Sequence, residues 1–94
     1  MPKAICEGVV LAEAAHCVAV GGRHYFPPDS LRAEYLRPST THILHSKKGP
    51  ASYFHVEVNG KLIPDAAWCY ASPPEDGYGI KDYVAFGRPV RVEP

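Results

Sequence analysis

The chain has 94 residues, of which 46% are hydrophobic, and its 10 basic and 10 acidic side chains cancel. At this length one core is expected, so residues 1–94 are predicted to form a single domain. The zero net charge provides no overall positive field for non-specific nucleic-acid binding, and no nucleic-acid partner is expected. Because the sequence has no long apolar run and no secretion signal, we expect no membrane span and a cytoplasmic location.

The first quarter of the chain predicts a meander of short antiparallel strands. Ten prolines and 8 glycines divide the sequence into segments that are too short for most helices. Strands are expected at residues 3–7, 9–13 and 16–20, and Gly21-Gly22 is a hairpin turn into a strand at residues 23–26. The fold class is therefore mainly β.

One short helix is predicted near residues 29–37, with its body at residues 31–36. Asp29 or Ser30 can cap its first turn, and Pro38 ends it. A helix of barely two turns is marginal by itself. We expect it to pack on the sheet through three side chains, Leu31, Tyr35 and Leu36.

A strand is predicted at residues 40–45, followed by a turn at residues 46–50 and a second strand at residues 53–58. The second strand alternates between two faces. One face carries Phe54, Val56 and Val58, and the other carries Tyr53, His55 and Glu57. The first face is expected to build the core, which leaves the second available for binding.

Asn59-Gly60 predicts that the chain reverses after this strand, because a type I′ turn needs positive φ at both central residues. In the returning strand, residues 61–70, Pro64 removes a hydrogen-bond donor and indicates an edge or a bulge. One face of that strand is expected to carry Leu62, Ala66, Trp68 and Tyr70. Residues 71–81 are the longest loop, and two closing strands follow it at residues 83–86 and 90–92.

Several short motifs together resemble a known family. They are Tyr25-Phe26-Pro27-Pro28, Tyr35-Leu36-Arg37-Pro38-Ser39, Lys48-Gly49 before Ala51-Ser52-Tyr53, Ala66-Ala67-Trp68 with Tyr70, and Tyr83-Val84-Ala85-Phe86. The chain resembles the domain-of-unknown-function family numbered 427, some of whose members are labelled nucleotidyltransferase-like. The resemblance covers nearly the whole chain. It implies a β-tent-like domain, in which two short antiparallel sheets meet at an angle and enclose a cleft.

The resemblance also bears on metals and on the reaction. Many members carry Cys-Pro ahead of the Lys-Gly turn, where this chain has His45-Ser46, and the paired Cys-x-x-Cys zinc knuckles of related β-tent proteins are absent. Cys6, Cys17 and Cys69 are odd in number and widely spaced, which also argues against a disulfide framework. We expect no metal and no cofactor. Scattered acidic residues give no two-magnesium motif, so nucleotidyl transfer is not adopted.

The first functional hypothesis is binding of a small planar or anionic ligand in the cleft between the sheets. Aromatic rings favour planar or cationic ligands, and ammonium and guanidinium groups favour anions. The resemblance selects Lys48, with Arg37 and Ser39 in neighbouring motifs. The candidate ligand-binding residues are Tyr35, Arg37, Ser39, Lys48, Tyr53, Trp68 and Tyr70.

Two alternatives remain open. A small enzyme could use His42 or His45 as general base with Lys48 stabilising negative charge, although residues three apart in a regular strand lie on opposite faces. A protein-interaction module could instead present a strand edge near Pro64 and form a homodimer. The sequence does not decide whether the chain is an enzyme.

Overall fold

The computed structural model describes residues 1–45, 49–70 and 79–94. Within these residues the chain is mainly β, as predicted. The strands are β1 (Lys3–Cys6), β2 (Val9–Glu13), β3 (Val18–Val20), β4 (Arg23–Tyr25), β5 (Leu36–His45), β6 (Gly49–Val58), β7 (Lys61–Cys69), β8 (Val84–Phe86) and β9 (Arg91–Glu93). Two 3-10 turns, Pro28–Ser30 and Ala33–Tyr35, join β4 to β5.

The strands form three antiparallel sheets rather than the predicted two. The orders are β2-β1-β9, β3-β4 and β5-β6-β7-β8. The first quarter is therefore two separate hairpins and not one continuous meander. The reason is that β2 pairs with β1 and β3 pairs with β4, whereas β2 and β3 do not pair with each other.

The four-stranded sheet packs on both faces, and its strands alternate between two hydrophobic clusters. In β6, Val56 and Val58 belong to a larger cluster with residues of β1 and β2, while Ala51 and Tyr53 belong to a smaller cluster with residues of β3 and β4. The predicted division of β6 into a core face and a second face is confirmed. The second face is covered at one end by the β3–β4 hairpin.

The predicted turns are present where positive φ was expected. Asn59 and Gly60 have φ of 52° and 74°, and the register pairs Val58 with Lys61 across them. Gly21 and Gly22, with φ of 59° and 79°, connect β3 to β4 in the same way. Tight hairpins of this kind match the right-handed twist of their strands.

The predicted short helix near residues 29–37 is not formed. Leu31 is extended and bridges Ala12 of β2, and the N–H of Arg32 donates to the carbonyl oxygen of Leu11 at 2.8 Å. These pairings to β2 replace the intrahelical hydrogen bonds of a segment that is too short to repay helix nucleation. Ser30 does not cap a helix but donates its hydroxyl to the Pro27 carbonyl oxygen at 2.7 Å.

Two irregularities flank β6 at adjacent positions. Between the pairs Pro38–Phe54 and His42–Ser52, β5 has three residues where β6 has only Tyr53. Between the pairs Phe54–Ala67 and Val56–Ile63, β7 has three residues where β6 has only His55. The bulge predicted at Pro64 is therefore real, and Asp65 within it has φ of 52°.

The bulge in β7 also explains why its predicted single apolar face is wrong. Leu62, on the near side of the bulge, is 53% exposed, and Ala66 belongs to the larger cluster. Trp68 and Tyr70 belong to the smaller cluster. Extra residues in one strand shift the alternation of side chains beyond them.

Parts of two predicted connections lie outside the described residues. They are residues 46–48 of the turn before β6 and residues 71–78 of the long loop before β8. No helical segment in the part of the chain that the structure describes has the length and apolar character needed to cross a membrane.

The larger cluster predicts which substitution costs most stability. Phe26 is fully buried, and its ring meets that of Phe86 edge-on, with centroids 5.8 Å apart. Phe26→Ala is expected to lower the free energy of unfolding by about 3–5 kcal/mol, because it removes this contact and leaves a cavity. Urea unfolding measures the change. Leu44, which is 79% exposed, provides the control: Leu44→Ala should stay within about 0.5 kcal/mol of wild type. Equal losses in the two variants would contradict the assignment of the core.

Candidate functional site

Tyr53 and Trp68 form an aromatic pair on the second face of the four-stranded sheet. They are direct partners across β6 and β7, and their ring centroids lie 5.9 Å apart at an angle of 36°. Both side chains are only partly buried. Gly87 permits the position of the indole, because a Cβ at residue 87 would lie 3.2 Å from Trp68 Cζ3. The two rings therefore present partly accessible apolar surface.

Tyr25 and Tyr70 lie in the same cluster but are buried. Their ring centroids are 6.3 Å apart, and Tyr25 reaches this place from β4. Burial, together with the neighbouring Tyr25, raises the pKa of Tyr70 to about 12. A phenol with so high a pKa stays protonated throughout the ordinary pH range. Tyr70 therefore supplies no acid–base group at ordinary pH, and the two buried rings pack beneath the accessible pair.

Arg23 of β4 covers part of the indole. Its guanidinium carbon lies 4.9 Å from the centre of the Trp68 ring, and its Nη1 donates to the carbonyl oxygen of Phe86 at 2.8 Å. Within residues 1–45, 49–70 and 79–94 no carboxylate lies at ion-pair distance from Arg23. We call Arg23, Tyr53 and Trp68 together the aromatic face. It combines two rings with one cation.

The two bulges that flank β6 bring polar side chains together beside this face. Asp65 Oδ1 accepts the hydroxyl of Ser39 at 2.6 Å, and Oδ2 accepts the hydroxyl of Thr41 at 2.8 Å. The Ser39 hydroxyl oxygen also accepts the N–H of Thr41 at 3.0 Å. The hydroxyl hydrogen bonds from Ser39 and Thr41 hold the pKa of the Asp65 carboxyl below its ordinary value. Asp65 is thus an ionised acceptor.

His55 completes this group. The backbone N–H of Asp65 donates to His55 Nδ1 at 3.0 Å, and Asp65 Oδ1 lies 3.6 Å from the same nitrogen. We call Ser39, Thr41, His55 and Asp65 the double-bulge cluster. Next to it, Arg37 forms an ion pair with Glu57, with nitrogen and oxygen 2.9 Å apart. Since β6 has no extra residue of its own here, Tyr53, His55 and Glu57 follow one another along one face.

The structure brings only some of the predicted ligand-binding residues together. Tyr53, Trp68 and Tyr70 share the smaller cluster, whereas Tyr35 packs against the larger one. Ser39 belongs to the double-bulge cluster, and Arg37 lies beside it, joined to Glu57. Lys48 lies outside the described residues.

Of the two histidines proposed as general bases, the structure describes the side chain of His42 alone, and it belongs to neither group. His42 is exposed on β5, which pairs with β6 alone, and its partner there is Ser52. The side chain of His45 lies outside the described residues, although its backbone pairs with Gly49. The histidine that the fold surrounds with polar partners is His55.

The sequence singled out neither Arg23 nor Asp65, and it placed His55 on the binding face of the second strand without identifying it as a site residue. The alternation of Tyr53, His55 and Glu57 contained a signal for His55, because it placed that side chain next to the best aromatic candidate. For Asp65, the only signal in the sequence was the neighbouring Pro64, which indicated a bulge. For Arg23 the sequence contained no signal, since its contact with Trp68 joins two different sheets.

The cysteines do not form a reactive centre. Cys6, Cys17 and Cys69 are all free thiols, and burial raises the pKa of each one. At Cys69 the negative charge of Asp82 adds to that effect. A raised pKa reduces the thiolate fraction and hence the nucleophilicity.

The described residues form neither a pocket nor a metal-binding group. The predicted cleft between the sheets is therefore not seen in this part of the chain. The same residues contain no group of three or more His, Cys, Asp or Glu side chains placed to hold a metal ion.

The sequence as a whole shows the family of this chain. The model of a domain of unknown function, DUF427, matches residues 3–93. The chain belongs to the DUF427 family. No curated protein matches it at a significant level. Membership gives no reaction and no ligand, so a function for this DUF427 domain has to be argued from its own surface.

The hydrogen bonds to Asp65 predict a pH effect. Ser39→Ala and Thr41→Val should each raise the pKa of the Asp65 carboxyl toward the ordinary value of about 3.9, because each removes one hydroxyl donor. Titration of the Asp65 carboxyl carbon by NMR measures this. Thr40→Ala, on the exposed residue between the two, is the control. Equal titration curves in all four proteins would show that the hydroxyls do not stabilise the carboxylate.

The lowered pKa of Asp65 also determines how the free energy of unfolding depends on pH. A carboxyl whose pKa is lower in the folded than in the unfolded chain stabilises the fold above the unfolded pKa of about 3.9, and this contribution is lost as the pH falls through the folded pKa. The free energy of unfolding should therefore decrease less steeply below about pH 4 in Asp65→Asn than in wild type.

Proposed function

We propose that this DUF427 domain binds a small planar anion on the aromatic face. The observation that carries the proposal is the stacking of the Arg23 guanidinium, 4.9 Å from the ring centre, on the partly buried indole of Trp68, which also contacts Tyr53. These residues come from two different sheets, so they lie on the two sides of a junction. The ligand class is the one expected from the sequence, but the site is an open face.

The chemistry of Arg23, Tyr53 and Trp68 supports a ligand that is planar and one that is negatively charged. Two rings offer stacking surface for a flat molecule, and such contacts contribute roughly 0.5–1.5 kcal/mol beyond the burial of area. A guanidinium has five N–H donors in a planar fork that suits carboxylate or phosphate. The Phe86 carbonyl takes one of those donors and fixes the group in place. A fixed cation beside a flat apolar surface favours a ligand that is both planar and negatively charged.

Lys48 and Arg37 remain part of the proposal on the strength of their motifs. Arg37 is exposed, and the charge of Glu57 partly neutralises it, which makes Arg23 the better partner for an anion. The family resemblance selects Lys48, and Lys48→Ala is the variant that tests its contribution. Lys61→Ala provides a matched control, because Lys61 forms an ion pair with Glu7 at 3.5 Å on another part of the surface.

Titration with naphthalene-2-carboxylate tests the proposal. Because the chain has a single tryptophan, its indole N–H gives one assignable NMR signal that reports directly on the aromatic face. The signal is expected to shift in a saturable way. Arg23→Gln should weaken binding at least about tenfold, since it removes a charged hydrogen-bond donor. Tyr53→Leu should weaken it several-fold through the loss of stacking.

Two controls separate specific binding from general adsorption. Naphthalene-2-carboxamide has the same ring and no charge, and it should bind wild type and Arg23→Gln about equally. Arg91→Gln removes an exposed arginine in the β2-β1-β9 sheet and should leave the affinity unchanged. An unshifted indole signal, or equal binding of the carboxylate to wild type and Arg23→Gln, would refute the proposed site.

A second candidate function is self-association through the strand edge near Pro64. It is supported by Leu62, which is 53% exposed, and by the pairing of β7 with β8 through Ala67–Cys69 alone. In the described residues no strand lies on the outer side of Lys61–Asp65. Main-chain groups and an apolar side chain at such an edge suit a second copy of the chain.

Light scattering over a range of concentrations tests this candidate. The wild-type mass is expected to rise toward that of a dimer, and Leu62→Lys should keep the chain monomeric by placing a charge in the contact. Ala19→Lys, at an exposed position of β3, is the matched control and should still dimerise. A wild-type mass that stays monomeric at every concentration would remove the candidate.

A further inference from the structure

The hydrogen bonds of His55 define which of its ring nitrogens carries the proton. Nδ1 accepts the backbone N–H of Asp65 at 3.0 Å, and an accepting nitrogen must present a lone pair. In the neutral imidazole the proton is then on Nε2, which becomes a hydrogen-bond donor. In the described residues no acceptor bonds to Nε2. The side chain is 27% exposed.

The surroundings of His55 keep the ring in this orientation. Asp65 is held by the hydroxyls of Ser39 and Thr41, at 2.6 and 2.8 Å, and its N–H is directed at the ring by the bulge in β7. Bulges often re-aim side chains at functional sites. Two bulges, one in each neighbour of β6, therefore combine to fix a single imidazole.

The position of His55 relates it to the aromatic face. It lies two residues after Tyr53 on the same side of β6, a spacing of about 7 Å along a strand. Arg23 contacts Trp68, and Trp68 pairs with Tyr53 across the sheet. We therefore expect a flat molecule of two fused rings on Tyr53 and Trp68 to bring one end toward Arg23 and the other toward His55. Ligand recognition on the aromatic face would thus have three separate determinants: the His55 donor, the two stacked rings and the Arg23 cation.

We infer that His55 is a specificity-determining hydrogen-bond donor of the aromatic face, and that the ligand carries an uncharged acceptor, such as a carbonyl oxygen, at the end distal to its anionic group. This inference rests on the proposed function and narrows its ligand class. A planar anion with such an acceptor is selected over one that lacks it, because only the first satisfies Nε2–H.

A matched pair of probes tests the inference. 6-Acetylnaphthalene-2-carboxylate and 6-isopropenylnaphthalene-2-carboxylate have the same shape, but the first has a carbonyl oxygen where the second has a CH₂ group. At pH 8, where imidazoles are ordinarily neutral, wild type should bind the acetyl probe about 3- to 10-fold more tightly, the value of one hydrogen bond. The Trp68 indole signal measures both affinities.

Two substitutions of His55 place a side-chain amide where one or the other ring nitrogen lies in wild type. In His55→Gln the side-chain NH₂ can take the place of Nε2–H, so part of the preference for the acetyl probe should remain. In His55→Asn the amide reaches only the position of Nδ1, so the preference should disappear while the isopropenyl probe still binds as it does to wild type. An equal preference in wild type and His55→Asn would overturn the inference.

The tautomer gives a second readout that does not depend on binding. Long-range proton–nitrogen NMR at pH 8 is expected to show His55 with a protonated Nε2 and an unprotonated Nδ1. The reverse pattern would overturn the inference even if ligands bind. If neither probe nor naphthalene-2-carboxylate shifts the indole signal, the proposed function itself fails. If the probes bind equally well to wild type, only the role of His55 fails.

Discussion

The structure depends on one strand, β6, that has hydrophobic partners on both faces and a bulged neighbour on each side. Val56 and Val58 hold it to the larger cluster, while Tyr53 joins the smaller one. A strand with one buried face has a strongly specified register, because a shift of one residue would exchange the two sets of side chains. The extra residues of the sheet must then be accommodated in β5 and β7, and that is where both bulges lie.

This constraint explains why polar side chains gather on one face of the four-stranded sheet, where they are partly exposed. Residues in a bulge leave the regular ladder, so their side chains and N–H groups are free to serve other partners. Asp65, with φ of 52°, directs its N–H at His55 and its carboxylate at two hydroxyls. The Asp65 carboxylate accepts two hydroxyl hydrogen bonds and its N–H donates to His55 Nδ1, although both side chains remain partly exposed. The double-bulge cluster is thus a consequence of the register of β6.

The sequence predicted most of the strands, because period-two alternation and glycine turns are local signals. It predicted the hairpin at Asn59-Gly60 and the bulge near Pro64 for the same reason. It did not predict the third sheet or the absence of a helix. Both depend on pairings between distant segments, such as Leu31 with Ala12, that no local pattern encodes. The aromatic face shows the same contrast. The Asn59-Gly60 hairpin brings Tyr53 beside Trp68 on neighbouring strands, whereas Arg23 reaches Trp68 only through the tertiary structure.

The contrast between the two arginines near this face shows how tertiary structure assigns roles to similar side chains. Arg37 and Arg23 are both exposed, but Arg37 forms an ion pair with Glu57, whereas Arg23 stacks on an aromatic ring. A carboxylate partner lowers the field that an incoming anion experiences, whereas a ring leaves the positive charge uncompensated and limits its motion. The guanidinium that can attract an anion is therefore the one that the fold places on tryptophan, although the motif around Arg37 is the more conspicuous in the sequence.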